Sequence, residues 1–223
     1  MTVEKLHWIK NMTEIIRIDP REPYQEEIAR VVEFLNDGQV IAYPTETIYG
    51  LGADVLNRKA VKKIYDLKSR DYGLPVSILI ADLKMLREIV ADVPDGALAL
   101  MRKFWPGPLT ILFPASDVIP KGLVTNTGKV GIRISSHPVA AAIVEGFGRP
   151  ITTTSANLSG FPPSLSVKHV QKYFGDKLPC IVDGGECDPS RGSTVVDMAE
   201  ETMRIVRDGA IPAEDVIKCF QGE

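Results

Sequence analysis

Apolar residues recur along the chain with two periods, one typical of amphipathic helices and one typical of strands. Helical spacing, with Ile28, Val31 and Leu35 as the first example, places apolar side chains on one face. It predicts helices at 23–36, 58–67, 83–90, 94–104, 135–147, 166–174 and 213–220. Short apolar or alternating runs predict strands at 14–18, 39–43, 76–80, 109–113, 129–134, 180–183, 193–197 and 203–207.

Ile151 to Gly160, which reads ITTTSANLSG, combines both kinds of signal within ten residues. Its β-branched start predicts a strand, and its small polar end predicts a loop with hydroxyl and amide donors at the strand tip. The stretch is therefore either an ordinary polar loop or a binding loop. A mobile loop is predicted at 116–128, where Gly, Lys, Thr and Asn collect.

Helices and strands alternate irregularly, and some connections are as short as a hairpin. This order predicts an α/β fold with a mixed parallel and antiparallel sheet and helices packed on it. The length of 223 residues is enough to bury a large core without a disulfide or a structural metal. We expect residues 1–20 to form an N-terminal arm and residues 21–223 to form a single domain.

Composition and charge narrow the class of protein. The chain is 44% apolar and 25% charged, with a net charge of −3, which suits a globular protein and argues against bulk electrostatic binding of nucleic acid. A local basic patch stays compatible with that charge. Three cysteines without paired spacing predict reduced thiols, a cytoplasmic location and no metal site. The N-terminal residues contain no long apolar run, which predicts neither a signal peptide nor a membrane span.

Candidate chemistry lies at the ends of predicted elements. Lys68 and Arg70 follow a helix, where they either bind an anion or complement the helix dipole. Arg133 lies within an apolar strand and needs an anionic partner, which is either a ligand or an internal carboxylate. The set of cations, hydroxyls and one amide suits a phosphate or carboxylate ligand: Lys68, Arg70, Arg133, Arg207, Thr45, Ser155, Asn157 and Ser193. His137 is expected to be a surface residue.

Standard signatures of other nucleotide and hydrolytic enzymes are missing from the sequence. There is no P-loop, no GxGxxG, no HExxH and no GxSxG. The motifs that are present are PTETIYGLGAD, the KxR of Lys68 and Arg70, FWPGPLT, the Arg133 strand, TSANLSG, and STVVD followed by IVRDGAI. In this order they resemble the YrdC/TsaC family over about residues 24–212, which implies a three-layer fold around a concave basic cleft.

The resemblance implies a threonylcarbamoyl-AMP synthase, a nucleotidyltransferase that converts L-threonine, bicarbonate or CO₂, and ATP into threonylcarbamoyl-AMP and pyrophosphate. The family's catalytic set falls here on Lys68, Arg70, Ser155 and Asn157. ATP would contact Lys68, Arg70, Asn157 and Arg207, and threonine would contact Thr45, Arg133, Ser155 and Ser193. Mg²⁺ would be held mainly by phosphates and water, without a dedicated protein site.

The implied pathway delivers the threonylcarbamoyl group to tRNA with partner proteins, so a contact with tRNA or double-stranded RNA is also expected. The chain is expected to be the short form of the family. It departs from the family pattern at residues 71–75, and Ser135 replaces a proline after the Arg133 strand. Two alternatives stay open: an RNA-binding or ribosome-maturation factor without synthase activity, and an enzyme acting on another carbamoyl donor or amine.

Overall fold

A computed structural model describes residues 12–71, 74–188, 191–198 and 202–223. Residues 1–11 of the predicted arm, and Tyr72 and Gly73 in the run after Arg70, lie outside these ranges. The helices are α1 (Gln25–Asn36), α2 (Arg58–Lys68), α3 (Leu83–Ile89), α4 (Asp95–Phe104), α5 (Pro138–Phe147), α6 (Val167–Phe174) and α7 (Ala213–Gln221). Short 3₁₀ turns occupy Lys121–Leu123 and Gly175–Lys177.

The strands are β1 (Glu14–Arg17), β2 (Ile41–Tyr43), β3 (Gly50–Gly52), β4 (Ile78–Leu79), β5 (Leu109–Pro114), β6 (Lys129–Arg133), β7 (Ile151–Thr152), β8 (Thr154–Ser155), β9 (Cys180–Asp183), β10 (Thr194–Asp197) and β11 (Arg204–Arg207). They form a five-stranded sheet in the order β1-β9-β2-β3-β8 and a six-stranded sheet in the order β11-β10-β5-β6-β4-β7. Both sheets contain parallel and antiparallel pairs, which confirms the mixed α/β fold.

The predicted strand at residue 151 divides between the two sheets. β7 pairs with β4 in the six-stranded sheet, and β8 pairs with β3 in the five-stranded sheet. Thr153 lies between them and donates its backbone N–H to Ser77 O (2.7 Å). The ITTTS segment therefore joins the two sheets, and the loop that follows it lies where they meet.

Alternation along the strands gives each sheet two apolar faces. In β2 and β9, Ile41, Tyr43, Cys180 and Val182 belong to a smaller core together with helices α1 and α5. Their neighbours Ala42 and Ile181 belong to a larger core that also takes residues from α2, α4, α6, α7 and the six-stranded sheet. Because successive side chains in a strand point to opposite faces, one strand can serve both cores. No helix in the described part of the chain is long and apolar enough to cross a membrane.

The predicted mobile loop at 116–128 is packed against the core instead. A 3₁₀ turn buries Leu123 completely, and the hydroxyl of Tyr65 donates a hydrogen bond to Gly122 O. The polar composition that suggested mobility belongs to the exposed edge of this segment, whereas Ile119 and Leu123 anchor it. The anchored segment lies beside the C-terminal half of α2, the helix that carries Lys68.

Asn57 caps the start of α2, as the sequence predicts. Its side-chain oxygen accepts hydrogen bonds from the backbone N–H groups of Lys59 (3.0 Å) and Ala60 (3.2 Å). Because an N-cap satisfies helix donors that have no other partner, we expect Asn57→Ala to lower the free energy of unfolding by about 1 kcal/mol. Chemical denaturation would measure this loss. Asn57→Ser is the control that keeps a capping oxygen, and an equal loss in both variants would contradict the capping role.

Candidate functional site

A cavity of about 330 Å³ opens where the two sheets meet. Four segments supply most of its wall: the loop after β2, the segment after α2, the β8 loop, and the turn before β10 together with the end of β11. Its lining is Thr45, Thr47, Ile48, Gly50, Arg70, Pro75, Ser77, Thr110, Arg133, Thr153, Thr154, Ser155, Asn157, Pro163, Gly192, Ser193, Arg207 and Asp208. The lining contains three arginines and one carboxylate, so its net charge is positive and the cavity suits an anionic ligand.

Seven of the eight residues predicted for the site lie in this lining, namely Thr45, Arg70, Arg133, Ser155, Asn157, Ser193 and Arg207. Their sequence separation is large, and the fold brings them together: Arg133 ends β6, Ser155 ends β8, Ser193 precedes β10 and Arg207 ends β11. Lys68 is the exception and is not part of the lining. The roles of all eight residues remain predictions.

Lys68 lies behind the β8 loop with a side chain that is only 1% exposed. Its ammonium donates to the backbone oxygens of Ser155 and Asn157 (the second at 2.8 Å) and to the side-chain oxygen of Asn157 (3.1 Å). The protonated ammonium has three N–H donors, and all three are used here; the neutral amine that dominates above about pH 7 keeps two of them. Lys68 therefore supports the loop from within the protein, and Arg70, two residues later, reaches the cavity.

The β8 loop is held together by side-chain hydrogen bonds of its own. Ser155 Oγ donates to Asn157 Oδ1 (2.5 Å), the same oxygen that accepts from Lys68. Asn157 Nδ2 donates to Phe161 O, and Ser164 Oγ donates to Ala156 O. The predicted binding loop is thus a compact turn whose backbone positions are fixed by three polar side chains.

Arg133 has the internal carboxylate that the sequence left open as an alternative to a ligand. Its Nη1 lies 3.5 Å from Glu46 Oε1, and the arginine is 4% exposed. It also lines the cavity, so the pairing with Glu46 and contact with a ligand are compatible. His137 lies beside this pair rather than on the open surface, and burial lowers its pKa below the usual range.

Ser193 and Arg207 form the opposite wall. Arg207 Nη2 donates to Ser193 O (2.6 Å) and to Ser193 Oγ (3.1 Å), and Ser193 Oγ lies 2.8 Å from Thr110 Oγ1. Burial, and secondarily the charge of Arg133, lowers the pKa of Arg207. An anion between these two guanidinium groups would relieve their mutual repulsion.

Thr45 organises the loop after β2 with its hydroxyl. Its Oγ1 donates to Ile48 O (2.6 Å) and accepts from the backbone N–H groups of Thr47 (3.3 Å) and Ile48 (3.2 Å). Arg70 hydrogen-bonds the backbone oxygens of Leu74 (3.4 Å) and Pro75 (3.1 Å). Both residues line the cavity, and the hydroxyl of Thr45 is already committed to the loop.

Sequence reasoning missed several lining residues that lie inside or just after apolar strands. Thr110 is 1% exposed within β5, and Ser77 and Thr153 meet through a backbone hydrogen bond. The one available signal was a hydroxyl residue among apolar neighbours, which needs a polar partner when buried. In the described part of the chain, no group of three or more His, Cys, Asp or Glu residues could hold a metal ion.

The buried position of Lys68 predicts a pH-dependent stability. Desolvation, and secondarily the charge of Arg70, lowers the pKa of Lys68 to about 7 from its usual 10.5. Between these values the unfolded chain holds a proton that the folded chain has released, so the free energy of unfolding rises with pH by up to about 1.4 kcal/mol per unit. Chemical denaturation from pH 7 to 9 should show this slope relative to Lys68→Met. Parallel profiles for the two proteins would contradict the lowered pKa.

Comparisons with known proteins show what this chain is similar to. Residues 33–209 match the Sua5/YciO/YrdC family model, described as "Telomere recombination". The chain is 39% identical over 208 residues to the threonylcarbamoyl-AMP synthase of Pyrococcus abyssi, covering 93% of this chain and 61% of that protein. It therefore spans about three fifths of the length of this relative.

Two solved structures show the same fold. The crystal structure of P. abyssi Sua5 complexed with L-threonine has a TM-score of 0.89 and 37% identity, covering 93% of this chain and 61% of that one. The crystal structure of Escherichia coli YciO has a TM-score of 0.84 and 27% identity, covering 94% of this chain and 100% of that one.

Proposed function

The chain belongs to the Sua5/YciO/YrdC family, and from this premise we propose that it is a threonylcarbamoyl-AMP synthase. Its substrates would be L-threonine, bicarbonate or CO₂, and ATP, and its products threonylcarbamoyl-AMP and pyrophosphate. The observation that carries the proposal is the cavity at the sheet junction, into which Arg70, Arg133 and Arg207 project among hydroxyl groups. The names of the relatives favour this activity over the RNA-binding alternative.

The proposed reaction has two steps. The amine of threonine attacks carbon dioxide and loses a proton, which gives a carbamate. A carbamate oxygen then attacks the α-phosphorus of ATP, and the bond to the β-phosphate oxygen breaks as pyrophosphate leaves. Such a displacement needs alignment and charge neutralisation more than a protein nucleophile. The arginines of the cavity suit this demand for charge neutralisation. Transfer of the AMP group from ATP to the carbamate would classify the enzyme as a nucleotidyltransferase.

The lining suggests how the residues divide the work. Arg133, deep in the cavity, would hold the threonine carboxylate, with Thr45, Ser155 and Ser193 shaping the amino-acid pocket. Arg70 at the rim and Arg207 on the opposite wall would contact the nucleotide. Lys68 would act indirectly by holding the oxygens of Ser155 and Asn157, two residues that line the cavity. This differs from direct phosphate contact by Lys68, because its three donors are already engaged.

Mg²⁺ would enter as part of the ATP substrate. Asp208 is the single carboxylate in the cavity lining, and an isolated carboxylate is a poor cage for a metal ion. The chain's residues therefore fit a magnesium ion that phosphates and water hold. Its charge would complement the arginines in neutralising the triphosphate.

The product would pass to tRNA-modification partner proteins in the cytoplasm, which transfer the threonylcarbamoyl group to an adenosine of tRNA. A direct contact of this chain with tRNA or double-stranded RNA would then be brief and dependent on salt concentration.

One assay tests the proposal. Pyrophosphate release from ATP and bicarbonate would be measured with L-threonine, with L-serine and without an amino acid. Release that depends on threonine is expected. Release independent of amino acids would indicate an enzyme acting on another amine or carbamoyl donor. No release, combined with salt-sensitive tRNA binding, would favour the RNA-binding alternative.

Arg70→Ala should raise the KM for ATP by about ten- to a hundredfold, because a charge-assisted hydrogen bond is worth ~1.5–3 kcal/mol. Steady-state pyrophosphate release at varied ATP would measure the change. Arg58→Ala, at the exposed start of α2, is the matched control and should leave the KM for ATP unchanged. An equal KM for both variants would refute a contact between Arg70 and the nucleotide.

A further inference from the structure

The guanidinium of Arg133 is charge-balanced, yet it is poorly hydrogen-bonded. Its Nε is buried without a hydrogen-bond partner in the described part of the chain, and so is Glu46 Oε1. The two side chains meet only at 3.5 Å, between Nη1 and Oε1. A carboxylate and an arginine that were unrestrained would approach closely and form two parallel hydrogen bonds. Something therefore holds Glu46 away from Arg133.

Ser135 provides that restraint. It is 2% exposed, and its Oγ accepts a hydrogen bond from the backbone N–H of His137 (3.1 Å). The same hydroxyl donates its proton to the second carboxylate oxygen of Glu46, Oε2. The bond ties this carboxylate to the backbone turn that begins α5, two residues after Arg133.

We propose that Ser135 is a positioning residue that holds Glu46 back from Arg133, so that the N–H groups of Arg133 stay available for the carboxylate of the ligand. The inference rests on the proposed function, in which this ligand is L-threonine.

Removing the hydroxyl has a predictable consequence. In Ser135→Ala, Glu46 Oε2 loses its donor while remaining buried, and a buried carboxylate without partners moves toward the nearest cation. The nearest cation described beside it is Arg133, already 3.5 Å away. Glu46 would then occupy the donors that the ligand needs and compete with it.

Steady-state kinetics test this competition. Ser135→Ala should raise the KM for L-threonine about tenfold, while kcat and the KM for ATP stay within about twofold of the wild type. The double variant Ser135→Ala/Glu46→Gln should return the KM toward the wild-type value, because an uncharged amide competes weakly for Arg133. Glu46→Gln alone should show a KM equal to or below the wild type. This single variant keeps the test decisive if Ser135→Ala fails to fold.

A measurement on the ligand-free protein separates this inference from the proposed function. The ¹⁵N–¹H signal of Arg133 Nε, assigned by its loss in Arg133→Lys, should shift in Ser135→Ala and return in the double variant. Failure of threonine-dependent pyrophosphate release would overturn the synthase proposal, and the signal would still decide the restraint. An unchanged signal in Ser135→Ala would overturn the inference. A double variant with a higher KM than Ser135→Ala would also overturn it, since Ser135 would then be merely structural.

Discussion

Lys68→Met should lower threonine-dependent pyrophosphate release by about a hundredfold or more, because it removes three hydrogen bonds from the loop that lines the cavity. The oxygens of Ser155 and Asn157 that Lys68 binds would lose their donor inside the protein. The loop would turn to satisfy them, and Asn157 would leave the cavity wall. The loss should fall on kcat as well as on the KM for ATP, since a displaced loop misaligns the phosphates.

The protein should still fold after this substitution. Methionine has nearly the length of lysine, and removing a buried ammonium also removes its desolvation cost. Circular dichroism should therefore stay close to the wild type, and thermal unfolding at pH 7 should still show a cooperative transition of a folded protein. Lys62→Met is the matched control, because Lys62 lies on the same helix in an exposed pair with Asp66. If Lys68→Met retained normal turnover, the loop would not depend on Lys68.

Lys68 and Arg70, the two cations of the KxR segment, show how much of the site the sequence predicts. Their charge, their spacing and their place at a helix end were all readable, and the structure puts both next to the cavity. Which of them lines the cavity was not readable, because it depends on acceptors of Lys68 that lie 87 and 89 residues away in sequence. Burial of Lys68 is decided by the fold of the β8 loop, and Arg70 is turned outward by the left-handed Ser69 between them.

The strand at Ile151 shows a second limit. Its β-branched composition predicted the strand correctly. Its division between two sheets follows from Thr153, whose backbone leaves one sheet and bonds Ser77. No residue type marks such a change, since threonine suits either sheet equally. The polar loop after the strand was therefore placed correctly in sequence, whereas its position at the junction of the two sheets follows from the topology.

Arg133 had two possible partners, and the structure confirms the internal one while ligand binding stays a prediction. An arginine in an apolar strand had to have an anionic partner, and the candidates were a ligand and an internal carboxylate. Glu46 lies near it but at 3.5 Å, and Arg133 also lines the cavity. The sequence did not identify Glu46, because PTETI reads as a loop motif and its carboxylate is brought in by the strand order.

Gly209→Ala should displace the part of the cavity wall formed by Ser193 and Arg207 more than a substitution at any exposed position would. A Cβ at this position would lie 2.3 Å from Thr194 N, 2.4 Å from Gly192 O and 2.4 Å from Ser193 C. All three are backbone atoms, so no side chain can rotate away. The segment is also tied down by hydrogen bonds from Ala210 N to Gly192 O (2.9 Å) and from Thr194 Oγ1 to Ile211 O (2.6 Å).

Relief of this clash must separate the chain after β11 from the turn before β10. Overpacking usually costs ~1–3 kcal/mol, and a contact between rigid backbones belongs at the upper end or beyond. Chemical denaturation should therefore show a loss of about 3 kcal/mol or an insoluble protein. The separation would also draw Arg207 away from Ser193, so pyrophosphate release should fall by more than the loss of folded protein explains.

Gly192→Ala is the matched control for stability. It adds the same methyl group to the adjoining segment, where the nearest atom is Arg207 Nη2 at 3.6 Å, an ordinary contact with a flexible side chain. Its free energy of unfolding should stay within about 0.5 kcal/mol of the wild type. A Gly209→Ala protein as stable as Gly192→Ala would show that the two segments can separate freely. In that case the position of Ser193 and Arg207 would not depend on the close approach at Gly209.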